Sequence, residues 1–302
     1  MQIWICRLII VIFKMKKTEF IEGAYSALEE IESLSRESLR AELSDWDEII
    51  KSCIEAGGLA PTLPAKNHGL PRINAAAPFL KRALTDLRAI HLLVRIGYTS
   101  QAASIAASLW ENALTAAVLA ESESLTNQAR STKFAEIPWA PTQLAKLNAK
   151  RELKIQYKGQ PYPQKEFEDN WTISYYNYKW LCQIKHPTWQ SAFHDVKSAK
   201  TTEDQYAIFP FPCNFPEDMH LKFAILGNSV SKTLEAVKSF FLSLECDEGN
   251  EGYSKFESKV NFAHFGVLKQ MQKFAGKQSP VKVLDRKFIK TDFSTLIEKY
   301  GE

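Results

Sequence analysis

One stretch restricts the fold of this chain more than any other: TSQAASIAASLWENALTAAVLAES, from Thr99 to Ser122. It holds eight alanines and no glycine, proline, lysine or arginine, so it is a strong helix former. Its polar residues recur in steps of three and four and trace one narrow stripe, made of Gln101, Ser104, Ser108, Glu111 and Thr115. Because a solvent-facing helix carries lysine and glutamate on its wet side, this stripe predicts a central helix covered on nearly all sides, with Glu111 as the one charge in its middle.

The composition is that of a globular protein with enough apolar residues for a sizeable core. The 302 residues are 45% hydrophobic. The formal net charge of +3 is too small to indicate that the whole protein attracts a nucleic acid or an anionic membrane. The five cysteines are scattered, without a CxxC pair, which argues against a disulfide framework and a structural zinc site. We therefore expect a cytoplasmic protein without a metal or a cofactor.

The first residues are apolar, but they lack the features of a membrane anchor or a signal peptide. Residues 3–13 are apolar except for Arg7, and this run is too short to span a membrane. It is not followed by the small-residue cleavage site of a signal peptide. We expect residues 1–16 to be an apolar extension outside the native fold, with no membrane contact. The rest of the chain divides into a helical pair at 17–56, a loop rich in proline and glycine at 57–78, a helical-bundle core at 78–245, and a C-terminal helix with a basic tail at 253–302.

Apolar residues recur at helical spacing along nearly the whole chain. We predict two helices before the loop, at 18–34 and 35–56, and the Gly57–Gly58 pair ends the second. Pro78 then begins a helix that ends at Gly97, and the short turn there lays it antiparallel to the central helix. Further helices are predicted at 122–135, 142–157, 163–185, 216–245 and 254–275. No stretch alternates with a period of two, so the predicted fold class is all-α, a bundle of long antiparallel helices.

The first candidate site is Glu111 with Arg88 and His91. A carboxylate in a covered helix is costly unless it is paired or protonated. Counting the same number of residues to either side of the turn places Glu111 near the level of Thr85, about one helical turn from Arg88. His91 falls on the core side of its helix. This set is either a catalytic or ligand-holding cluster, or a buried ion pair that fixes the register of two helices.

The second candidate site is YNYKWLCQIKHP, residues 176–187. Tyr178, Cys182 and His186 follow one another at four-residue steps along one face of a predicted helix. A thiol beside an imidazole suits nucleophilic or acid–base chemistry, and the whole stripe suits ligand binding. The alternative is core packing, with His186 at the helix C-terminus, where the carbonyl ends favour the protonated imidazole.

Two further motifs carry charges. The Glu217-Asp218-Met219-His220 segment contains one Glu-x-x-His pair, whereas a carboxylate-bridged metal site needs two facing copies, so no metal ligand is assigned. The run from Lys146 to Lys165 combines cations with two tyrosines, which suits single-stranded nucleic acid. Its residues Lys150 and Lys154 are candidate ligand-binding residues, although charged helix surfaces without any ligand are common.

Two of these segments, QAASIAASLWENAL and YKWLCQIKHP, resemble a large uncharacterised bacterial group of helical-bundle proteins. That group is similar to the HEPN superfamily, and the resemblance covers about residues 78–245. It implies a HEPN-like bundle that acts as a metal-independent ribonuclease or as the partner of a nucleotidyltransferase. The family's Arg-to-His spacing is absent here, because Arg88 and His91 are too close together and Arg82 and His91 are too far apart. A position near Ala107 where the group has arginine is also apolar in this chain.

Two functions from different classes follow from these residues. The first is a binding or interaction module whose groove holds Glu111 and His186 and takes a protein partner or a small ligand. The second is a HEPN-like ribonuclease effector of a phage-defence or toxin–antitoxin system, which cleaves RNA with His186 or His91 beside Arg88. The sequence leaves open whether the chain is an enzyme, and it is compatible with an oligomer.

Overall fold

The structure is a computed structural model, and it describes residues 17–133, 136–186, 200–202, 205–206, 210–214 and 218–273. The predicted N-terminal extension at 1–16 and the basic tail after residue 273 lie outside these residues. Within them the chain forms eight α-helices: α1 (Lys17–Leu59), α2 (Pro71–Ile96), α3 (Thr99–Glu121), α4 (Glu123–Ser131), α5 (Pro141–Gln156), α6 (Gln164–Lys185), α7 (Met219–Leu244) and α8 (Glu251–Gln272).

The all-α fold class is confirmed, with one small exception. Two short strands, β1 (Lys200–Thr202) and β2 (Gln205–Tyr206), pair antiparallel between α6 and α7. A single 3-10 turn, Ala60–Thr62, follows α1. Strands this short form no sheet layer, and nearly all of the buried apolar residues that the structure describes lie on helices.

Helix α3 is the central helix that the alanine-rich stretch predicts. Fifteen of its 23 residues are buried, and it packs against α2, α5, α6 and α7. Its polar stripe is the side that keeps some exposure, from Gln101 to Thr115. By length and composition α3 is apolar enough to cross a membrane, but 78% of its apolar window is buried inside the bundle. The small alanine side chains let the neighbouring helices approach closely on all other sides.

Helix α1 corrects the prediction of two separate N-terminal helices. It is one continuous helix of 43 residues and runs through both Ser35 and Gly57. Gly57 does not end it, because this glycine serves close packing: a Cβ there would lie 2.6 Å from Cδ2 of Leu84 on α2. The Ser35 hydroxyl likewise does not cap a helix and donates a hydrogen bond to the carbonyl of Ile96, 2.7 Å away.

Helix α2 begins seven residues before the predicted start at Pro78. Pro71 is its first residue. Proline suits this position because the N–H that it lacks would have no hydrogen-bond partner within the helix. Pro78 lies inside the helix on its exposed side, so water can reach the carbonyl that its ring leaves without a donor. The loop is therefore shorter than the predicted 57–78. The Asn67 amide connects it to the end of α7 by donating a hydrogen bond to the Leu244 carbonyl.

The turn between α2 and α3 depends on Gly97. Its φ of +95° belongs to the left-handed region, and it caps α2 through hydrogen bonds to the carbonyls of Leu93 and Val94. The segment 210–214 packs directly on this turn, since the Cys213 amide donates to the Gly97 carbonyl at 2.9 Å. The helical hairpin of α2 and α3 is confirmed, and its closed end is covered by the chain that leads into α7.

Candidate functional site

Glu111 and Tyr178 form the centre of the candidate site, where α3 faces α6. The Tyr178 hydroxyl donates a hydrogen bond to Oε1 of Glu111 at 2.5 Å. The Tyr178 ring also packs on Trp110, with ring centroids 4.7 Å apart. Burial raises the pKa of Tyr178, and its hydrogen bonds with Cys182 and Glu111 raise it further. Tyr178 therefore stays protonated and acts as a donor to the carboxylate.

The predicted pairing of Glu111 with Arg88 is wrong, although the predicted level of Glu111 along α2 is nearly correct. Asp86 accepts a hydrogen bond from Asn112 at 3.0 Å, which places residue 112 opposite residue 86. Consecutive residues of a helix point about 100° apart. Asn112 thus faces α2 at this level, while its neighbour Glu111 is turned toward α6 and meets Tyr178.

Arg88 and His91 form a separate cluster between α2 and α1. The Arg88 guanidinium donates to Nδ1 of His91 at 3.1 Å, and Nε2 of His91 lies 2.6 Å from Oδ1 of Asp47. Burial lowers the pKa of His91 against the opposing effect of Asp47. With both ring nitrogens engaged and the side chain 5% exposed, His91 locks two helices together and has no nitrogen left for a substrate.

Cys182 and His186 continue the Tyr178 stripe toward the end of α6. The Cys182 side chain hydrogen-bonds the Tyr178 hydroxyl, and His186 is the exposed residue that caps the helix. Helix α6 runs antiparallel to α3, because its start lies beside the end of α5 and the end of α5 lies beside Glu121 of α3. Cys182 and His186 consequently lie toward the levels of Ser108 and Ser104 on the polar stripe of α3.

Two buried polar atoms near Tyr178 have no hydrogen-bond partner among the residues that the structure describes. They are Nε1 of Trp110 on α3 and Oγ of Ser174, one turn before Tyr178 on α6. The two residues are only 1% and 8% exposed. Since buried polar groups in folded proteins nearly always have partners, these two unpaired atoms beside Tyr178 are exceptions.

The structure separates Lys150 and Lys154 from this site. Both are exposed on α5, together with Lys146, whose ammonium group lies 4.6 Å from the centroid of the Trp171 ring. Lys154 lies 3.7 Å from Glu121 at the end of α3. The sequence-predicted residues therefore form three groups: Glu111 with Tyr178, Cys182 and His186; Arg88 with His91; and the two lysines.

A buried charge network between α5 and α7 is the functional feature that sequence reasoning missed. Glu235 lies at its centre: Lys232 donates to it at 2.6 Å, Arg151 lies 3.6 Å away, and the Asn148 amide donates to its other oxygen. Lys232 and Glu235 are three residues apart on α7, and Glu235 is the only acid of that helix, which was the available sequence signal. Glu152 joins the network through a hydrogen bond with Glu235.

Glu152 and Glu235 share one proton. Burial and the neighbouring charge of Glu235 raise the pKa of Glu152 to about 8, while Lys232 and Arg151 oppose burial and lower the pKa of Glu235. The Glu152 side chain is 39% exposed, but its carboxyl end lies against Glu235, whose side chain is 11% exposed. We attribute the raised pKa to this enclosed end of the side chain.

The raised pKa of Glu152 predicts a loss of stability with rising pH. The folded chain keeps a proton that the unfolded chain releases near 4.5, so this stabilisation is complete below that pH and disappears as the pH passes about 8. Glu152→Gln cannot ionise, and its melting temperature is expected to decline less than that of the wild type between about pH 6 and pH 9. Glu251→Gln, at an exposed carboxylate with a lowered pKa, is the matched control and should follow the wild-type curve. Parallel curves for wild type and Glu152→Gln would contradict the shared proton.

A second buried cluster surrounds Lys222 on α7. Its ammonium group is fully buried and donates to the Cys213 carbonyl at 2.9 Å, and the Cys213 thiol donates to Oδ2 of Asp218 at 2.9 Å. Asp218 belongs to the Glu-Asp-Met-His segment, of which Glu217 lies outside the described residues. Among the residues described, no three His, Cys, Asp or Glu side chains lie close enough to hold a metal ion. The cluster therefore anchors the chain before α7.

Comparison with known proteins leaves the assignment to this geometry. Neither the protein-family models, nor the curated proteins, nor the solved structures show a match to the chain. The function has to be inferred from the side chains around Tyr178.

Proposed function

We propose that the chain is a binding module whose ligand site is the groove between α3 and α6, around Glu111, Tyr178, Cys182 and His186. One observation carries the proposal: the unpaired Nε1 of Trp110 and the unpaired hydroxyl of Ser174 lie within one turn of Tyr178 at this interface. Leaving such groups buried without partners costs about 1–3 kcal/mol each. A bound polar molecule offsets that cost.

The chemistry of the groove favours a small polar ligand with a cationic or N–H donor group. Glu111 uses Oε1 to accept from Tyr178, and within the described part of the chain its second oxygen accepts no hydrogen bond. Stacked Tyr175 and Tyr178 rings, with centroids 6.3 Å apart, present an electron-rich wall on the same helix. A carboxylate beside such rings attracts an amine, and the Trp110 N–H suits an acceptor on the same ligand.

The ribonuclease function remains the alternative, together with the HEPN-like form of the bundle. It rests on the two sequence segments that resemble the bacterial group related to that superfamily, of which the first lies in α3 and the second begins in α6. His91 does not support it, since Asp47 and Arg88 occupy both of its ring nitrogens. Cleavage would then depend on His186, and a folded His186→Ala variant that loses the RNA cleavage shown by the wild type would establish this alternative.

A thermal-shift measurement tests the binding proposal. The full chain is melted with saturating agmatine, putrescine, arginine or glycine, and a ligand that binds only the folded state raises the melting temperature. Binding of at least one amine is expected, and Glu111→Gln and Tyr178→Phe should each abolish its shift.

Glu123→Gln is the control, because it removes an exposed carboxylate at the start of α4. It should retain the full shift. An equal shift in all three variants would place the ligand elsewhere, and a panel without any shift would contradict an amine-binding groove.

A further inference from the structure

The exposed side of α5 carries a regular row of cations. Lys146, Lys150 and Lys154 are spaced by four residues on the helix, and Lys158 follows in the turn toward α6. Each helical step advances about 6 Å along the axis, so the three lysines on the helix extend over about 12 Å. We call these four residues the lysine face. All four are exposed, and Lys154 has Glu121 beside it at 3.7 Å.

The lysine face has one acidic neighbour on α5 itself, and Glu121 of α3 lies beside Lys154 with its side chain 31% exposed. Between residues 141 and 160 the chain contains a single acid, Glu152. Its carboxyl group is turned toward Glu235 and away from the row, and Arg151 lies 3.8 Å from it. Glu152 is the only acid on α5, so the exposed side of this helix carries more lysines than carboxylates.

Aromatic rings border the lysine face on the α6 side. Tyr157 and Tyr162 lie 6.2 Å apart between ring centroids, and Tyr162 lies 6.3 Å from Phe167. Trp171 follows one turn later under the Lys146 ammonium group, at 4.6 Å. All four rings are half-buried, so each is held in place by the fold and keeps some of its surface in solvent.

We propose that the lysine face and its bordering rings bind single-stranded nucleic acid. Lysines at regular spacing suit a flexible row of phosphates, and flat rings beside them suit the faces of unpaired bases. A duplex hides its bases from such rings, and neither an acidic polypeptide nor an anionic membrane has bases that stack on them. The site lies on α5, outside the groove between α3 and α6, and goes beyond the amine-binding function.

Binding of a fluorescein-labelled single-stranded RNA of mixed sequence, measured by anisotropy at several salt concentrations, tests the proposal. Each lysine that contacts a phosphate contributes about −0.7 to the slope of log K against log salt for a single strand. Changing Lys146, Lys150, Lys154 and Lys158 together to glutamine should therefore make the slope shallower by about 2.8. The matched control carries the same change at four exposed lysines on other helices, Lys51, Lys81, Lys255 and Lys269. It should keep the wild-type slope.

Tyr162→Leu tests the stacking part, because it keeps an apolar side chain and removes the ring. Loss of one stacked base weakens binding about 5- to 150-fold without changing the salt slope. Circular dichroism confirms that each variant is folded before it is compared.

Several results would overturn the proposal. They are an absence of RNA binding at low salt, an unchanged slope in the four-lysine variant, and equal affinity for duplex RNA, polyglutamate or phosphatidylserine vesicles. The groove proposal is tested by Glu111→Gln and Tyr178→Phe, and this one by the four-lysine variant and Tyr162→Leu. A failure of the groove proposal and a failure of this one are therefore seen in different variants.

Discussion

Replacing Glu235 by glutamine is expected to lower the free energy of unfolding by about 3–5 kcal/mol, as for other buried ion pairs that lose one partner. The change keeps the shape of the side chain but removes the carboxylate that lies nearest to two buried cations. These are Arg151 and Lys232, whose side chains are only 8% and 15% exposed. Urea unfolding followed by circular dichroism at neutral pH measures the loss.

The same substitution at an exposed ion pair provides the control. Glu251 lies 2.5 Å from Lys255, but the two side chains are 82% and 62% exposed. Glu251→Gln should therefore cost no more than about 1 kcal/mol. Equal losses at the two positions would show that Glu235 is solvated and that the network is not part of the core.

Leu114→Ala is expected to cost about 2–5 kcal/mol, the range for removing a leucine from a packed core. Leu114 is 0% exposed on α3, one turn beyond Trp110. The side chains of the neighbouring alanines are too short to fill the space that Leu114 leaves. The cavity should therefore remain, and the cost should lie in the upper half of that range.

Leu242→Ala is the matched variant, since it removes the same atoms from a side chain of α7 that is 56% exposed. Its unfolding free energy should change by no more than about 0.5 kcal/mol. A similar loss for both leucines in urea unfolding would contradict the central position of α3.

Local patterns predicted the helices well, because helix formation and burial depend on residues a few positions apart. The alanine-rich stretch identified α3, its limits and its polar stripe. The glycine pair at 57–58 was misleading, since a glycine that ends a helix and a glycine that lets another helix approach look the same in a sequence. Only the position of Leu84 across the interface distinguishes the two roles.

The candidate site was predicted in part. Glu111, Tyr178 and Cys182 were each singled out, but the hydrogen bond that joins Glu111 to Tyr178 spans 67 residues. Counting along a hairpin fixes the level of a residue and leaves its direction open, so Glu111 was assigned to α2 instead of α6. The network of Glu235 was missed for a related reason, because Asn148 lies 87 residues away from it along the chain.

A double-mutant cycle between Glu111 and Tyr178 tests the centre of the site most directly. Unfolding free energies are measured for Glu111→Ala, Tyr178→Phe and the double variant, and in parallel for Glu111→Ala with Arg88→Gln. A hydrogen bond from Tyr178 to a partly exposed carboxylate predicts a coupling energy of about 1–2 kcal/mol for the first pair, and less than about 0.5 kcal/mol for the second. Additive effects of Glu111 and Tyr178, or a strong coupling of Glu111 with Arg88, would contradict the groove between α3 and α6.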